Sequence, residues 1–415
     1  MPSMRLAAAV LAAFLVLTPS AHAAQTTQEL VDQKLQAGEL KPLEDELSAR
    51  LAASPADDQV RFALGATQFL RTVEQMAQAM YRYGLAPTRQ VSRVMPFFRF
   101  PVPVNPHPDH LDYPKMQKIF SNALEGFEKA DATLAKMGKT EVTLPIAIGL
   151  VRLDLNGDGK ADETETLWKV FNATLGGNMI QPDSARQFVI KFDRGDASWL
   201  RGYANLLSAV LDFQLAHDWH ESFDVTFHML FPNAGLPGAA VNEYERPFQY
   251  SGFDDGTFAD LIAFIHLAHW PVTEPERMKA SLAHLEQVVA LSRESWGFIL
   301  AETDDDAEWL PSPRQKNGVL GVPVTQETVT AWMVFLNSFD GMLQGKVLLP
   351  HWRFEKGINL RRVFLEPQTF DPILWAQGYA AIPYLETGPT ASSGDWNRMM
   401  GLFEGNFFGY AAWFN

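Results

Sequence analysis

The sequence predicts a mostly α protein, either an irregular helical array or a multi-helix bundle. Along several stretches apolar residues recur at intervals of three and four, as they do when one face of a helix packs on a core. The clearest run contains Phe69, Val73, Met76 and Met80 and ends at Gly84. Stretches in which polar and apolar residues alternate, the pattern of half-buried strands, are scarce. The chain has 415 residues, 47% of them hydrophobic, which suffices for one large core or two moderate ones.

Residues 1–23 predict a secretory signal peptide. The basic residue Arg5 precedes an apolar run from Leu6 to Leu17, and Ala21-His22-Ala23 is a small-x-small cleavage signature. The apolar run is too short to span a membrane, and no later stretch reaches the required length without charge. We therefore expect the mature protein to be exported, either periplasmic or secreted, with no membrane span.

Residues 24–84 are predicted to form an N-terminal helical region. Two short helices occupy 25–54 and are separated near 38–42. The following Ser54-Pro55-Ala56-Asp57 supplies a capping side chain, a proline for the first turn, and acids near the positive end of a helix dipole. Paired helices with this junction weakly resemble one unit of the tetratricopeptide repeat family, although no regular recurrence follows.

The remainder of the chain is predicted to be a connection followed by a larger helical domain. Residues 85–113 are rich in proline and aromatic residues, as in Phe100-Pro101-Val102-Pro103, and are too apolar for a flexible linker. We expect an ordered, extended connection there. Residues 114–415 form the predicted main domain, which begins with a long helix over 114–137.

Composition excludes several functional classes. The chain contains no cysteine, so disulfides, thiolate nucleophiles, sulfur-based zinc sites and a lipid-modified N-terminal cysteine are ruled out. Its net charge of -15 is not offset by a basic cluster, which makes nucleic acid and anionic membranes poor partners. We also find no P-loop, dinucleotide fingerprint or nucleophile elbow.

One stretch, residues 154–165, carries oxygen donors at a spacing that indicates a specific chemistry. Oxygen-bearing side chains stand at positions one, three, five, nine and twelve of this loop, and Lys160 at position seven can offer its backbone carbonyl while its side chain points to water. The oxygen-bearing residues are Asp154, Asn156, Asp158, Asp162 and Glu165. Gly159, at position six, allows the sharp turn. Calcium takes six to eight oxygen ligands from such a curved segment, so we expect this loop to bind Ca²⁺.

The loop resembles the EF-hand family over its whole length and matches the family pattern without a gap. The resemblance implies a helix on each side of the loop. The apolar run from Leu144 to Leu153 would supply the entering helix, and helical spacing after Leu167, ending at Gly176, would supply the exit helix. The predicted calcium hand thus covers 144–176. Ala161 departs from the family, which usually has a β-branched or large apolar residue at position eight for pairing with a second loop, and no second loop is found.

Four histidines form the alternative candidate site. His217 and His220, like His266 and His269, are three residues apart, which would place each pair on one face of a helix. If the two helices packed together, the imidazoles could converge with Asp218 or Glu221 on zinc, iron or copper. The alternative function is therefore a metal-dependent hydrolase or oxidase.

The favoured prediction is an exported calcium-binding protein that is more likely not an enzyme. The calcium would be structural, within a helical scaffold or interaction protein whose partner is unknown. A further acidic run, from Glu302 to Glu308, is predicted to be a solvated helix end rather than a second cation site.

Overall fold

The structure is a computed structural model. It describes residues 25–86, 91, 102–175, 182–242, 255–305, 307–316, 318, 323–402 and 414. The signal peptide predicted over 1–23 and much of the connection predicted over 85–113 lie outside the described residues. The described chain is mostly helical, with only two small sheets, so the predicted mostly α array is confirmed.

Four helices form the first part of the fold, and side chains cap three of them. The helices are α1 (Thr27–Ala37), α2 (Leu40–Ala53), α3 (Asp58–Arg82) and α4 (Tyr113–Leu134). Helix α3 starts later than the junction sequence predicts: Ser54 ends α2, Pro55 lies outside the first turn of α3, and the Asp57 carboxylate is the cap that accepts from the Val60 N–H. Their apolar faces line two cores: Leu43 and Leu47 are buried in one, and Phe127 is buried in the other. Helix α3 packs on both α2 and α4, so it lies at the centre of this part.

The prediction of an entering helix over 144–153 is wrong. Residues Leu144–Ala147 form strand β1, which pairs in antiparallel register with β2 (Val189–Phe192), and a 3-10 turn follows at Ile148–Leu150. A short, wholly apolar run fits a buried strand as well as a buried helix, and here the remote partner β2 decides between them. Gly149 in this turn lies against the Ala185 backbone: a Cβ there would stand 2.6 Å from the Ala185 carbonyl oxygen, so the position requires a glycine.

The centre of the molecule contains short helices around two long ones. The elements are α5 (Leu167–Leu175), α6 (Pro182–Gln187), α7 (Arg194–Ala216), α8 (His220–Thr226), α9 (Asp255–Leu267) and α10 (Pro275–Ala301). Helix α7 begins after Asp193, whose side chain accepts from the Asp196 N–H while Asp196 accepts from the Asp193 N–H. Asp193 is therefore the N-cap of α7, and Asp196 is the third helical residue of a capping box.

Helices α7 and α10 pack side by side in antiparallel directions along their whole length. Arg277 near the start of α10 bonds Asp212 near the end of α7 at 3.1 Å. At the opposite end, the Ser295 hydroxyl donates to the Gly195 carbonyl oxygen at 3.0 Å. This pairing brings the start of α7 next to the end of α10.

The C-terminal part adds a third core. Its elements are α11 (Gln326–Leu343), β3 (Gly357–Ile358), α12 (Leu360–Leu365), α13 (Pro372–Gln377), β4 (Leu385–Glu386) and α14 (Ser393–Leu402). Phe414 is buried against Trp296 of α10 and Trp332 of α11, with ring centroids 5.0 and 5.7 Å away. Within the ranges given above, no helix has the length and apolar character needed to cross a bilayer.

Candidate metal centre

The two ends of the 154–165 loop are fastened to each other. Arg152 and Thr166 form an antiparallel β-bridge; beside it, the Leu153 N–H donates to the Glu165 carbonyl oxygen at 3.2 Å and the Leu167 N–H to the Val151 carbonyl oxygen at 2.8 Å. Helix α5 then begins at Leu167. The loop therefore has its predicted exit helix, but a short two-stranded neck replaces the helix expected before it.

The chain wraps around the carboxylate of Asp154, the first residue of the loop. One oxygen accepts from the Gly157 N–H at 2.7 Å and the other from the Gly159 N–H at 3.0 Å. Both glycines have left-handed φ angles, 74° and 82°, which residues with a Cβ rarely adopt. The turn predicted at Gly159 is present, and Asp154 itself is buried.

Glu165, the last residue of the loop, reaches back and closes it. Its carboxylate oxygens accept from the Leu155 N–H and the Asp162 N–H, each at 2.9 Å, and its side chain is buried. Burial raises the pKa of Glu165, and the negative charges of Asp162 and Asp154 raise it further. A cation in the loop would offset this cost of holding an ionised Glu165.

The remaining candidate ligands lie on the solvent side of the loop. Asn156 is half-buried and accepts from the Asp158 N–H at 2.8 Å, and Asp158 accepts from the Lys160 N–H at 2.8 Å. Asp162 accepts from the Thr164 hydroxyl and N–H, and these bonds lower the pKa of Asp162. The Lys160 side chain is exposed, as expected for a position that would contribute only its carbonyl.

Helix α3 supports the loop from behind through two side chains that sequence reasoning missed. Glu74 accepts from the Asp154 N–H at 2.9 Å, and the Gln78 side-chain amide donates to the Asp154 carbonyl oxygen at 2.8 Å. Glu74 is only 1% exposed and also forms an ion pair with Arg71. Burial raises the pKa of Glu74. A signal was present in the sequence, because Glu74 and Gln78 are four residues apart on a helix and therefore share a face.

Ala161, the residue that departs from the EF-hand pattern, packs against the turn between α1 and α2. Gly38 in that turn has a φ of 72°, and a Cβ built on it would stand 2.1 Å from the Ala161 Cβ. The Arg152 N–H also donates to the Leu35 carbonyl oxygen at 2.9 Å. The α1–α2 turn thus occupies the place beside position eight, and it leaves room only for a small residue.

Replacing Ala161 with isoleucine, a residue typical of position eight in the family, is expected to destabilise this protein by about 2 kcal/mol because the added atoms overpack the Gly38 contact. Chemical denaturation monitored by circular dichroism measures the change. Lys160→Ile is the matched control, since position 160 is exposed. Equal unfolding midpoints for the two variants would contradict the contact between Ala161 and Gly38.

The four histidines do not form the alternative metal site. His217 is not on a helix with His220, because α7 ends at Ala216 and α8 begins at His220. The buried His217 ring donates from Nδ1 to the Phe213 carbonyl oxygen at 2.7 Å, and burial lowers the pKa of this imidazole. His220 instead pairs with Asp224 at 3.2 Å.

The second histidine pair is equally dispersed. His266 is exposed on α9, and His269 follows that helix and contacts Asp371 at 3.0 Å. Among the described residues, no group of three or more His, Asp and Glu side chains is placed to hold a metal ion. The four histidine side chains therefore do not converge on one point. The acidic side chains of the 154–165 loop do not form such a group either, because they accept backbone N–H groups. The ligand set expected for this loop also uses the Asn156 amide oxygen and the Lys160 carbonyl oxygen.

Comparison with known proteins finds no family model, curated protein or solved structure that matches this chain. The EF-hand resemblance of residues 154–165 therefore remains a prediction that depends on the loop itself. Its donors are all oxygens in the expected order, two glycines shape the turn, and the first and last carboxylates are buried. These properties fit calcium by donor type and by charge.

Proposed function

We propose that this chain is an exported calcium-binding protein in which the ion has a structural role. The residues that would hold calcium are Asp154, Asn156, Asp158, Lys160 through its carbonyl, Asp162 and Glu165. The observation that carries the proposal is the burial of the first and last carboxylates of a complete calcium-loop sequence, with the chain turned around them. Bound calcium would supply the positive charge that balances these two carboxylates.

The position of the loop supports a structural role. Its neck bonds the end of α1 through Leu35, its first residue bonds α3 through Glu74 and Gln78, and its last residues lead into α5. Residues far apart in sequence therefore meet at one loop. A ligand that binds only the folded loop stabilises all of these contacts together, and the gain grows with the free ligand concentration over its dissociation constant.

A calcium titration of thermal unfolding tests this proposal. The mature protein, purified without chelator, is expected to carry about one calcium per chain by mass spectrometry. Its melting temperature should rise with calcium, by an amount equivalent to about 2.7 kcal/mol at a hundredfold excess over the dissociation constant. Magnesium serves as the control ion, because it is smaller and gives up its water reluctantly. An unchanged midpoint, or a stoichiometric transition metal in place of calcium, would contradict the proposal.

An interaction role fits the surface next to the loop. A groove of about 880 Å³ runs between α3 and α4 and ends at Asn156 and Gly157 of the loop. Most of the residues that line it are polar or charged, including the exposed Lys118 and Asn122 of α4. We therefore propose a helical scaffold whose partner binds near the calcium loop.

Export is supported by the signal-peptide sequence at 1–23.

A further inference from the structure

An apolar cleft opens in the C-terminal part of the fold, between α11 and α14. Its volume is about 820 Å³. The residues of α11 that line it recur every four positions, so one face of this helix forms a whole wall. Leu349, Leu360 of α12 and Trp396 of α14 line the cleft opposite this wall. Pockets that bind small molecules have volumes of about 300–1,000 Å³, and this cleft falls within that range.

Large apolar side chains are open to solvent in the cleft. Val334 of α11, Leu349 and Trp396 are 43%, 37% and 46% exposed. Each would gain free energy by leaving water, and apolar side chains that collect on one part of a folded surface mark a binding site more often than scattered ones do. The cleft therefore offers an apolar ligand a surface that the described residues leave uncovered.

The floor of the cleft is formed before any ligand arrives. The rings of Phe335 and Phe339 stack with their centroids 5.7 Å apart, and both side chains pack against the third core. Leu349 is fixed by two backbone hydrogen bonds with Ile358, each 2.8 Å long. A ligand therefore enters a preformed cleft and does not have to open the core.

The charge of the lining selects among apolar ligands. Among the described residues, Glu327 in the first turn of α11 is the only charged one that lines the cleft. An anionic ligand would find no Lys, Arg or His for its charge there, whereas a cationic ligand would be attracted by Glu327 and by the net charge of -15. The uncharged polar residues of the lining are Gln326, Thr330, Ser338, Ser392 and Ser393.

Polar and apolar residues are separated along the α11 wall. Glu327 and Thr330 lie near the start of the helix and are exposed. Of the α11 residues that line the cleft beyond Thr330, all but Ser338 are apolar. At about 1.5 Å of rise per residue, the wall from Glu327 to Met342 is about 22 Å long. An apolar wall of this length with an acid at one end matches a hydrocarbon chain that carries a positive charge at its end.

We propose that this cleft binds a single-chain amphiphile with a cationic head group. The hydrocarbon chain lies along Val334, Phe339 and Leu349, and the head group lies beside Glu327. Burial of the chain drives binding, because each methylene that leaves water strengthens it about fourfold. The cleft and the 154–165 loop belong to different elements, so this is a second ligand site, separate from the proposed calcium site.

Titration calorimetry of the mature protein tests the site. Dodecyltrimethylammonium, kept below its critical micelle concentration, is expected to bind at one site per chain. Octyltrimethylammonium should bind about a hundredfold more weakly, because fewer methylenes leave water. Glu327→Gln should weaken binding of dodecyltrimethylammonium about fivefold, the effect of losing one exposed ion pair. Dodecyl maltoside has the same chain and an uncharged head group, so the wild type and Glu327→Gln should bind it equally.

Val334→Trp fills the cleft and should abolish detectable binding of dodecyltrimethylammonium. Ile262→Trp is the matched control, since Ile262 is 52% exposed on α9 and does not line the cleft. This variant should bind as the wild type does. Both substitutions lie on the surface, and circular dichroism checks that both variants fold. The proposal is overturned if dodecyltrimethylammonium does not bind, if the two tryptophan variants bind it equally, or if Glu327→Gln leaves its affinity unchanged.

Discussion

Replacing Glu165 with glutamine is expected to remove most of the stabilisation that we propose calcium gives this protein. Position twelve of the loop would clamp the ion with both carboxylate oxygens, and glutamine offers one oxygen and no charge. At calcium a hundredfold above the wild-type dissociation constant, up to about 2.7 kcal/mol would be lost. The measurement is the calcium dependence of the free energy of unfolding, together with calorimetric titration of calcium.

The matched control for Glu165→Gln is Glu163→Gln, the same substitution two residues earlier. Glu163 is exposed and its contact with Lys169, at 3.4 Å, lies outside the loop interior. A surface pair of this kind contributes little to stability, so Glu163→Gln should retain the calcium effect. If both variants respond to calcium as the wild type does, the loop is not the calcium site.

Replacing Glu74 with alanine is expected to lower the free energy of unfolding by about 3 kcal/mol. The change leaves the buried Asp154 N–H without its acceptor and removes the ion-pair partner of Arg71. Loss of one member of a buried ion pair costs about 3–5 kcal/mol. The Arg71 side chain is 20% exposed, so water replaces part of the lost contact and the lower end of this range applies. Urea denaturation in chelator measures this loss without a contribution from calcium.

Two further variants separate the role of Glu74 from a general effect on α3. Glu74→Gln keeps an oxygen for the Asp154 N–H and should cost less than Glu74→Ala. Gln75→Ala changes an exposed neighbour on the same helix and should leave stability almost unchanged. The same variants also report on calcium binding, because Glu74 positions Asp154, the first residue of the loop. Equal stability of Glu74→Ala and Gln75→Ala would mean that Glu74 does not support the loop.

The sequence by itself determined the features that depend on neighbouring residues. Apolar spacing predicts α3, and the break near Gly38 separates α1 from α2. The loop pattern also predicts correctly that the chain turns at Gly159 with a positive φ and that the Lys160 side chain faces solvent. Capping, turning and helical periodicity involve residues a few positions apart, so the sequence records them directly.

Only the tertiary structure decided the contacts between distant segments. The apolar run at Leu144 became a strand because β2 was available to pair with it. Ala161 is small because Gly38 lies against it, and His217 and His220 were separated by the end of α7. In the acidic run after α10, Asp304 and Asp305 are exposed as the sequence predicts, whereas Glu308 is buried. A local pattern specifies which side chains share a face of one element, but burial and hydrogen bonding depend on what that face meets after folding.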